Sequence, residues 1–265
     1  MRGTVKKVPI AVIGGTGLEE IFSASEIVNI GTPYGISYAI SICELQNRKV
    51  AFLPRHGRKH DAPPHKINYR ANIFALYNLG VERIIATNAV GAINPKFKPG
   101  DLVVPHDLID FTRQRPLTFY DQAPVTHIDF TEPYCPEIRR ILIERGRETG
   151  AVHEQAVYVC TEGPRFETPA EIRMFRLLGC DIVGMTGIPE AVLARELGMC
   201  YATICFVSNM AAGMADRLTY KEVLETSKIV MPKIRKIIAE TILSLPEVRG
   251  CQCHLSAKLG RPEES

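Results

Sequence analysis

No run of about 18 consecutive apolar residues occurs in this 265-residue chain, so no segment is expected to cross a bilayer as a helix. There is no low-complexity tract of the kind that leaves a chain disordered. Charge of either sign is nearly balanced. Lys and Arg number 32 and Asp and Glu 29, and a net of +3 gives no reason to expect a nucleic-acid partner. The phosphate-loop pattern G-x-x-x-x-G-K-[ST] is absent, as are H-E-x-x-H, C-x-x-C and the G-x-S-x-G nucleophile turn. The run Gly14-Gly15-Thr16-Gly17 lacks the third glycine of G-x-G-x-x-G. Glu19 and Glu20 behind it would also repel a pyrophosphate, so no nicotinamide cofactor is expected.

Cysteine is sparse. Six of the eight, Cys43, Cys135, Cys160, Cys180, Cys200 and Cys205, stand alone in apolar or mixed surroundings, where a free cysteine behaves as a small buried hydrophobe. The close pair is Cys251-Gln252-Cys253. The start of the chain is basic and then apolar, but it breaks at the glycines and turns acidic. It therefore lacks the apolar core and cleavage site of a signal peptide. The expectation is a cytoplasmic protein with reduced thiols.

What is present is an ordinary globular composition, 46% hydrophobic and 23% charged, long enough for one large domain or two small ones. Short apolar runs bounded by turn residues predict strands at 9–13, 49–54, 81–88, 101–105, 156–160, 181–184 and 199–207. Helical spacing, usually stopped by glycine, predicts helices at 68–79, 136–150, 169–178, 189–197 and 219–243. Strands alternating with helices predict an α/β fold, with helices on both faces of a largely parallel or mixed central sheet. No Pro-, Gly- or Ser-rich linker divides the chain. Residues 1–245 read as a single domain, and 246–265, where periodicity ends, as a surface tail.

The unusual segments all fall at the carboxyl ends of predicted strands. They are Gly14 to Gly17, Arg55-His56-Gly57, Thr87-Asn88-Ala89-Val90-Gly91, the run from Thr161 to Glu167, Gly184-Met185-Thr186-Gly187, and the run from Ser208 to Gly213. Ligands of α/β sheets bind beyond those ends. Arg55 offers a planar fork for an oxyanion, and Thr16, His56 and Thr186 add hydroxyls and an imidazole. That set suits one tetrahedral oxyanion rather than a triphosphate. His60, Asp61 and His65 do not make a metal face, because Pro63 and Pro64 prevent a helical spacing.

At these segments the chain resembles a known family. Gly14-Gly15-Thr16-Gly17, Pro54-Arg55-His56-Gly57, the run from Pro64 to Asn72, His127-Ile128-Asp129, the run from Glu162 to Thr168, and the run from Gly184 to Glu190 are similar, in order, to the methylthioadenosine phosphorylase branch of the purine nucleoside phosphorylases. The likeness spans about 9–245. It implies one α/β domain with a distorted central sheet, and a homotrimer or dimer of trimers. It implies phosphate-dependent cleavage of a purine N-glycosidic bond, with phosphate as co-substrate and no metal or organic cofactor. By the resemblance, Thr16, Arg55, His56, Ala89 and Thr186 bind phosphate and Phe166 stacks on the base. Met185 lies under the ribose, and His127 reaches the 5′ end of a neighbouring subunit's substrate.

The sequence departs from the adenine-cleaving pattern, which has an Asp-x-Asp pair where this chain has Ser208-Asn209-Met210-Ala211. Asn209 can donate its amide to a 6-oxo group or to N7, and Glu167 can accept N1–H, which hypoxanthine has and neutral adenine lacks. A 6-oxopurine is therefore expected, with Asn209 as the catalytic residue that stabilises the leaving base and Met210 and Ala211 beside it. Asp216 swinging in would restore an acidic partner for adenine. Tyr220 and Val223 are expected near the 5′ group. The overall likeness is nearest the S-methyl-5′-thioinosine phosphorylases, with inosine or guanosine and then methylthioadenosine as the other candidate substrates, and a nucleoside-sensing binding module on the same fold as the non-enzymatic alternative. Thermophilic members of the family contain a C-x-C disulfide, so Cys251 and Cys253 read either as a stabilising pair or as part of a disordered reduced tail. A metal clip would need more ligands than the tail supplies.

Overall fold

The computed structural model describes residues 7–15, 18, 21, 23–59, 62–123, 125–215 and 220–256. Its strands are β1 (Ile10–Gly14), β2 (Ser23–Val28), β3 (Gly31–Thr32), β4 (Gly35–Ile36), β5 (Ile40–Leu45), β6 (Arg48–Pro54), β7 (Arg83–Ala92), β8 (Leu102–Val103), β9 (Asp107–Phe111), β10 (Val152–His153), β11 (Val157–Thr161), β12 (Ile182–Gly184) and β13 (Cys200–Met210). Its helices are α1 (Tyr69–Asn78), α2 (Pro136–Thr149), α3 (Pro169–Leu177), α4 (Gly187–Glu196) and α5 (Tyr220–Ser244).

Among the described residues eleven strands join in one mixed sheet, along the path β10-β8-β13-β7-β1-β6-β5-β2, with β12 branching from β7 and carrying β11 and β9. This is the expected α/β fold with a central mixed sheet. The middle strands β6, β1, β7 and β13 run parallel. They are covered on both faces, which is why they read as continuous apolar runs rather than as alternating ones. One face packs on α2 and α5 through residues such as Ile138, Ile141, Ile234 and Ile238. The other packs on α1 and α4 through Ile73, Leu76, Ala191 and Ala194. Helix starts are well specified. Asn68 accepts from the Ala71 N–H at α1, and Thr168 with Glu171 forms a reciprocal capping box at α3.

Three expectations need correction. The antiparallel strands β2 and β5, the small hairpin β3–β4, and the short β9 and β10 lie outside the predicted set. The β5–β6 turn relies on Gln46 and Asn47, both with positive φ, a two-residue turn whose twist suits a hairpin. The helix expected at 189–197 begins two residues earlier, at Gly187. The tail beyond 245 is not a loose surface extension as far as it is described. Leu245, Cys251 and Cys253 join the core over α2 and α5, and 253–255 form a 3-10 turn.

Tyr158 is fully buried and lies against two glycines. A Cβ on Gly184 would collide with its hydroxyl, and one on Gly187 would lie 2.5 Å from its ring. Gly184→Ala is therefore an overpacking substitution. It is expected to destabilise by about 1–3 kcal/mol and to lower the melting temperature by several degrees. An unchanged melt would show that the ring gives way freely.

Candidate functional site

Because β1, β6, β7 and β13 are parallel, their carboxyl ends meet at one edge of the sheet. The Arg55 backbone N–H donates to Gly14 O at 3.0 Å, tying the turn after β6 to the end of β1. The Arg55 side chain is 3% exposed. Its Nε donates to Glu190 Oε1 (2.5 Å), its Nη2 to Glu190 Oε2 (2.8 Å) and its Nη1 to Thr87 O (2.7 Å). Burial opposes the charge, but the Glu190 carboxylate outweighs it and holds the guanidinium pKa above the ordinary value. Of five N–H donors three are committed, which leaves two for a ligand. Glu190 is braced by the Tyr201 hydroxyl, which donates to Oε2 at 2.9 Å.

Thr186 sits at the N-cap of α4 without capping it. Its hydroxyl donates instead to Asn88 Oδ1 (2.7 Å), and Asn88 Nδ2 donates to Thr203 Oγ1 (2.8 Å). The helix start is thus left without a side-chain cap, and peptide N–H groups and the positive end of the helix dipole collect there. Ala89 is the one exposed residue of β7. His56 is half-buried. Its Nδ1 lies 2.8 Å from Ala62 O; a carbonyl only accepts, so Nδ1 carries the proton there and fixes the ring orientation.

On the other side of the edge, the register of β13 against β7 shifts between Val207 and Asn209. This bulge at Ser208 re-aims the strand end, as bulges next to functional sites do. Ser208 Oγ donates to Asn209 Oδ1 at 2.6 Å, and Asn209 Nδ2 donates to Met210 O at 2.8 Å. The amide is thereby oriented, with one N–H still available. Gly91 packs beside the amide: a Cβ there would lie 3.3 Å from Val183 Cγ1 and 3.4 Å from Asn209 Nδ2. Ala211 is buried and Met210 half-buried.

Glu167 is buried and accepts from the Thr161 hydroxyl at 2.6 Å. Desolvation pushes its carboxyl pKa up, and the Thr161 hydrogen bond only partly offsets this. Glu167 and Thr161 border a cavity of about 350 Å³, together with Phe111, Arg113 and Gly163. Of the expected site residues Glu167 lines that cavity, while Arg55, Phe166, Thr186 and Asn209 do not. Phe166 is 40% exposed, an unusual state for a large aromatic side chain and one suited to a flat apolar ligand.

The remaining expected residues are placed as follows. Met185 follows β12 and is half-buried, and its carbonyl accepts from Arg115 Nη1 at 2.6 Å. Val223 is half-buried in the first turn of α5, which begins at Tyr220, and His127 is exposed. Thr16 and Asp216 lie outside the described residues. Sequence reasoning gave no role to three further positions. Glu190 and Asn88 orient the expected ligands. Arg115 donates to Tyr69 Oη and to the carbonyls of Thr161, Glu162 and Met185, binding three loops together. The signal for Glu190 was a carboxylate inside a helix apolar nearly all round, which needs a buried partner.

Comparison with known proteins agrees with this geometry. The family model described as the phosphorylase superfamily matches residues 9–243. The chain is 53% identical over 254 residues to a 6-oxopurine nucleoside phosphorylase of Pyrococcus furiosus, covering 92% of this chain and 96% of that protein. It is 54% identical over 248 residues to a probable S-methyl-5′-thioinosine phosphorylase of Methanothermobacter thermautotrophicus, covering 92% and 87%. A crystal structure of a methylthioadenosine phosphorylase from an antarctic soil metagenomic library superposes with a TM-score of 0.92 at 35% identity, covering 97% of this chain and 93% of that one.

Proposed function

The chain belongs to the phosphorylase superfamily, and from that premise we propose that it cleaves 6-oxopurine nucleosides with inorganic phosphate, preferring S-methyl-5′-thioinosine. The C1′–N9 bond breaks and a C1′–O bond to phosphate forms, giving hypoxanthine and 5-methylthioribose 1-phosphate. Two observations carry the specificity: an oriented neutral amide, Asn209, at the end of β13, and a buried carboxylate, Glu167, just before α3. The amide donates to N7 or O6, and the carboxylate accepts N1–H. The P. furiosus relative named for 6-oxopurines supports this reading, and the M. thermautotrophicus relative supports the methylthio group.

As the bond breaks, the sugar becomes cationic and the base anionic. Asn209 stabilises the base at N7. Phosphate, held by Thr16, Arg55, His56, the backbone at Ala89 and Thr186, attacks the opposite face and stabilises the cation. No covalent enzyme nucleophile and no organic cofactor takes part. Phe166 stacks on the base, while Met185, Met210 and Ala211 line the sugar and base. At the 5′ group Tyr220 can pack on a methylthio group or hydrogen-bond a hydroxyl, and Val223 favours an apolar pocket. The exposed His127 reaches a neighbouring subunit's 5′ pocket in a homotrimer or dimer of trimers, working in the cytoplasm.

The test is base release from methylthioinosine, inosine, guanosine and methylthioadenosine, with and without phosphate. Release of hypoxanthine is expected only with phosphate, and fastest from methylthioinosine. Glu167 must be ionised to accept N1–H. Its pKa is raised, so kcat/KM should fall as pH drops through a value above the ordinary carboxylate range. Release without phosphate, or preferential release of adenine, would overturn the reading.

A further inference from the structure

Four of the eight cysteines gather at one place. Cys135 stands at the N-cap of α2, Cys200 opens β13, and Cys251 and Cys253 come from the tail. All four are buried, and their sulfur atoms lie within 4.8 Å of one another. Cys200 Sγ and Cys251 Sγ are 3.3 Å apart. The other four, Cys43, Cys160, Cys180 and Cys205, are distributed among the core clusters as small apolar side chains.

We propose that Cys135, Cys200, Cys251 and Cys253 form a closed tetrathiolate site for a soft divalent cation of the zinc type, which pins the tail to the sheet. A tetrahedral zinc–thiolate centre has Zn–S bonds of about 2.3 Å, which sets sulfur–sulfur edges near 3.8 Å. A Cys200–Cys251 separation of 3.3 Å, with all four sulfurs inside 4.8 Å of one another, accommodates that value. Four sulfur ligands with no oxygen donor select zinc over magnesium or calcium. The tail alone supplies two ligands, and the fold supplies the other two.

The backbone is already drawn together for this. Gly250 N donates to Glu137 Oε1 at 2.9 Å, two residues beyond Cys135. Arg249 Nη1 donates to Gly198 O at 2.9 Å, two residues before Cys200. On binding, four thiols release four protons and form four metal–sulfur bonds. No electrons move, so no oxidant is required. The centre then carries a net charge of −2. Arg195, 94% buried with Nε lacking any hydrogen-bond partner, donates through Nη1 to Ser256 Oγ at 3.4 Å, three residues beyond Cys253, and supplies positive charge there. The N-terminus of α2 at Cys135 adds to it.

The site is structural. Cys200 and Asn209 are nine residues apart on one strand, about 30 Å at the usual rise, so the metal takes no part in phosphorolysis. Purification of the full chain under reductant, without chelator, should yield about one zinc per chain by elemental analysis. Chelator-stripped protein titrated with Co²⁺ should show the visible bands of a tetrahedral cobalt thiolate. Zinc should raise the melting temperature of stripped protein by several degrees. The double variant Cys251→Ser/Cys253→Ser should lose the metal and that shift while keeping kcat/KM within about twofold. If the variant fails to fold, stripped and reloaded wild type give the same comparison. Protein without stoichiometric metal, or with disulfides among these four after purification under reductant, overturns the proposal.

Discussion

Asn209→Asp should abolish phosphorolysis of 6-oxopurine nucleosides while leaving the fold intact. The substitution keeps the shape and the Ser208 contact. It replaces the only group on that side chain that donates to the base with an acceptor. The new oxygen would also face Met210 O, which lies 2.8 Å from the present Nδ2, so the carboxylate is repelled from the position the amide holds. A site built on complementary polar pairs rejects the wrong partner by about 10⁴-fold, and kcat/KM for methylthioinosine and inosine should fall by that order. Methylthioadenosine should lose far less, since a carboxylate accepts from its 6-amino group. Asn209→Ala separates the causes: it removes the donor without adding an acceptor, and should depress both substrates. Retention of inosine cleavage by the aspartate variant would sink the assignment of Asn209 as the donor to the leaving base. A melting curve close to wild type shows that any loss is chemical.

The physical reasons for what was legible in the sequence differ from residue to residue. Strands β1, β7 and β13 announce themselves as unbroken apolar runs because both their faces are covered. Strands β2 and β5 do not, because an antiparallel edge with part of its surface in water carries a weaker pattern. Arg55, Thr186 and Asn209 were visible as odd residues at strand ends, where backbone geometry concentrates ligand contacts, and Ala89 came from the family resemblance. Glu190 and Asn88 stood in the singled-out runs, but their roles were not legible, because each acts through a residue more than 95 positions away. The orientation of the Asn209 amide depends on a bulge, a register event that only pairing with β7 reveals. The tail misled for a related reason. A segment held by two buried cysteines and a few polar contacts needs no hydrophobic period to be buried.

Glu190→Gln should cost about 3–5 kcal/mol of folding stability, the usual penalty for removing one partner of a buried ion pair. Arg55 and Glu190 are 3% and 2% exposed, so water does not solvate the orphaned guanidinium. A glutamine offers one acceptor where Arg55 presents two donors, and its own N–H groups would meet one of them. Tyr201 would keep a partner at most on one side. The sign of a ligand effect then follows from the same geometry. If the two uncommitted Arg55 donors face the phosphate site, an oxyanion supplies the charge that Glu190 no longer does. Phosphate should therefore raise the melting temperature of the variant more than that of the wild type, and a neutral osmolyte should not. Binding to the native state adds RT ln(1 + [L]/Kd), so the difference grows with phosphate concentration until both forms saturate. Equal melting temperatures for the two proteins would show that the pair contributes nothing. Equal phosphate increments would show that Arg55 serves only to hold Glu190 and Thr87, and that the oxyanion is bound by other groups at the strand ends.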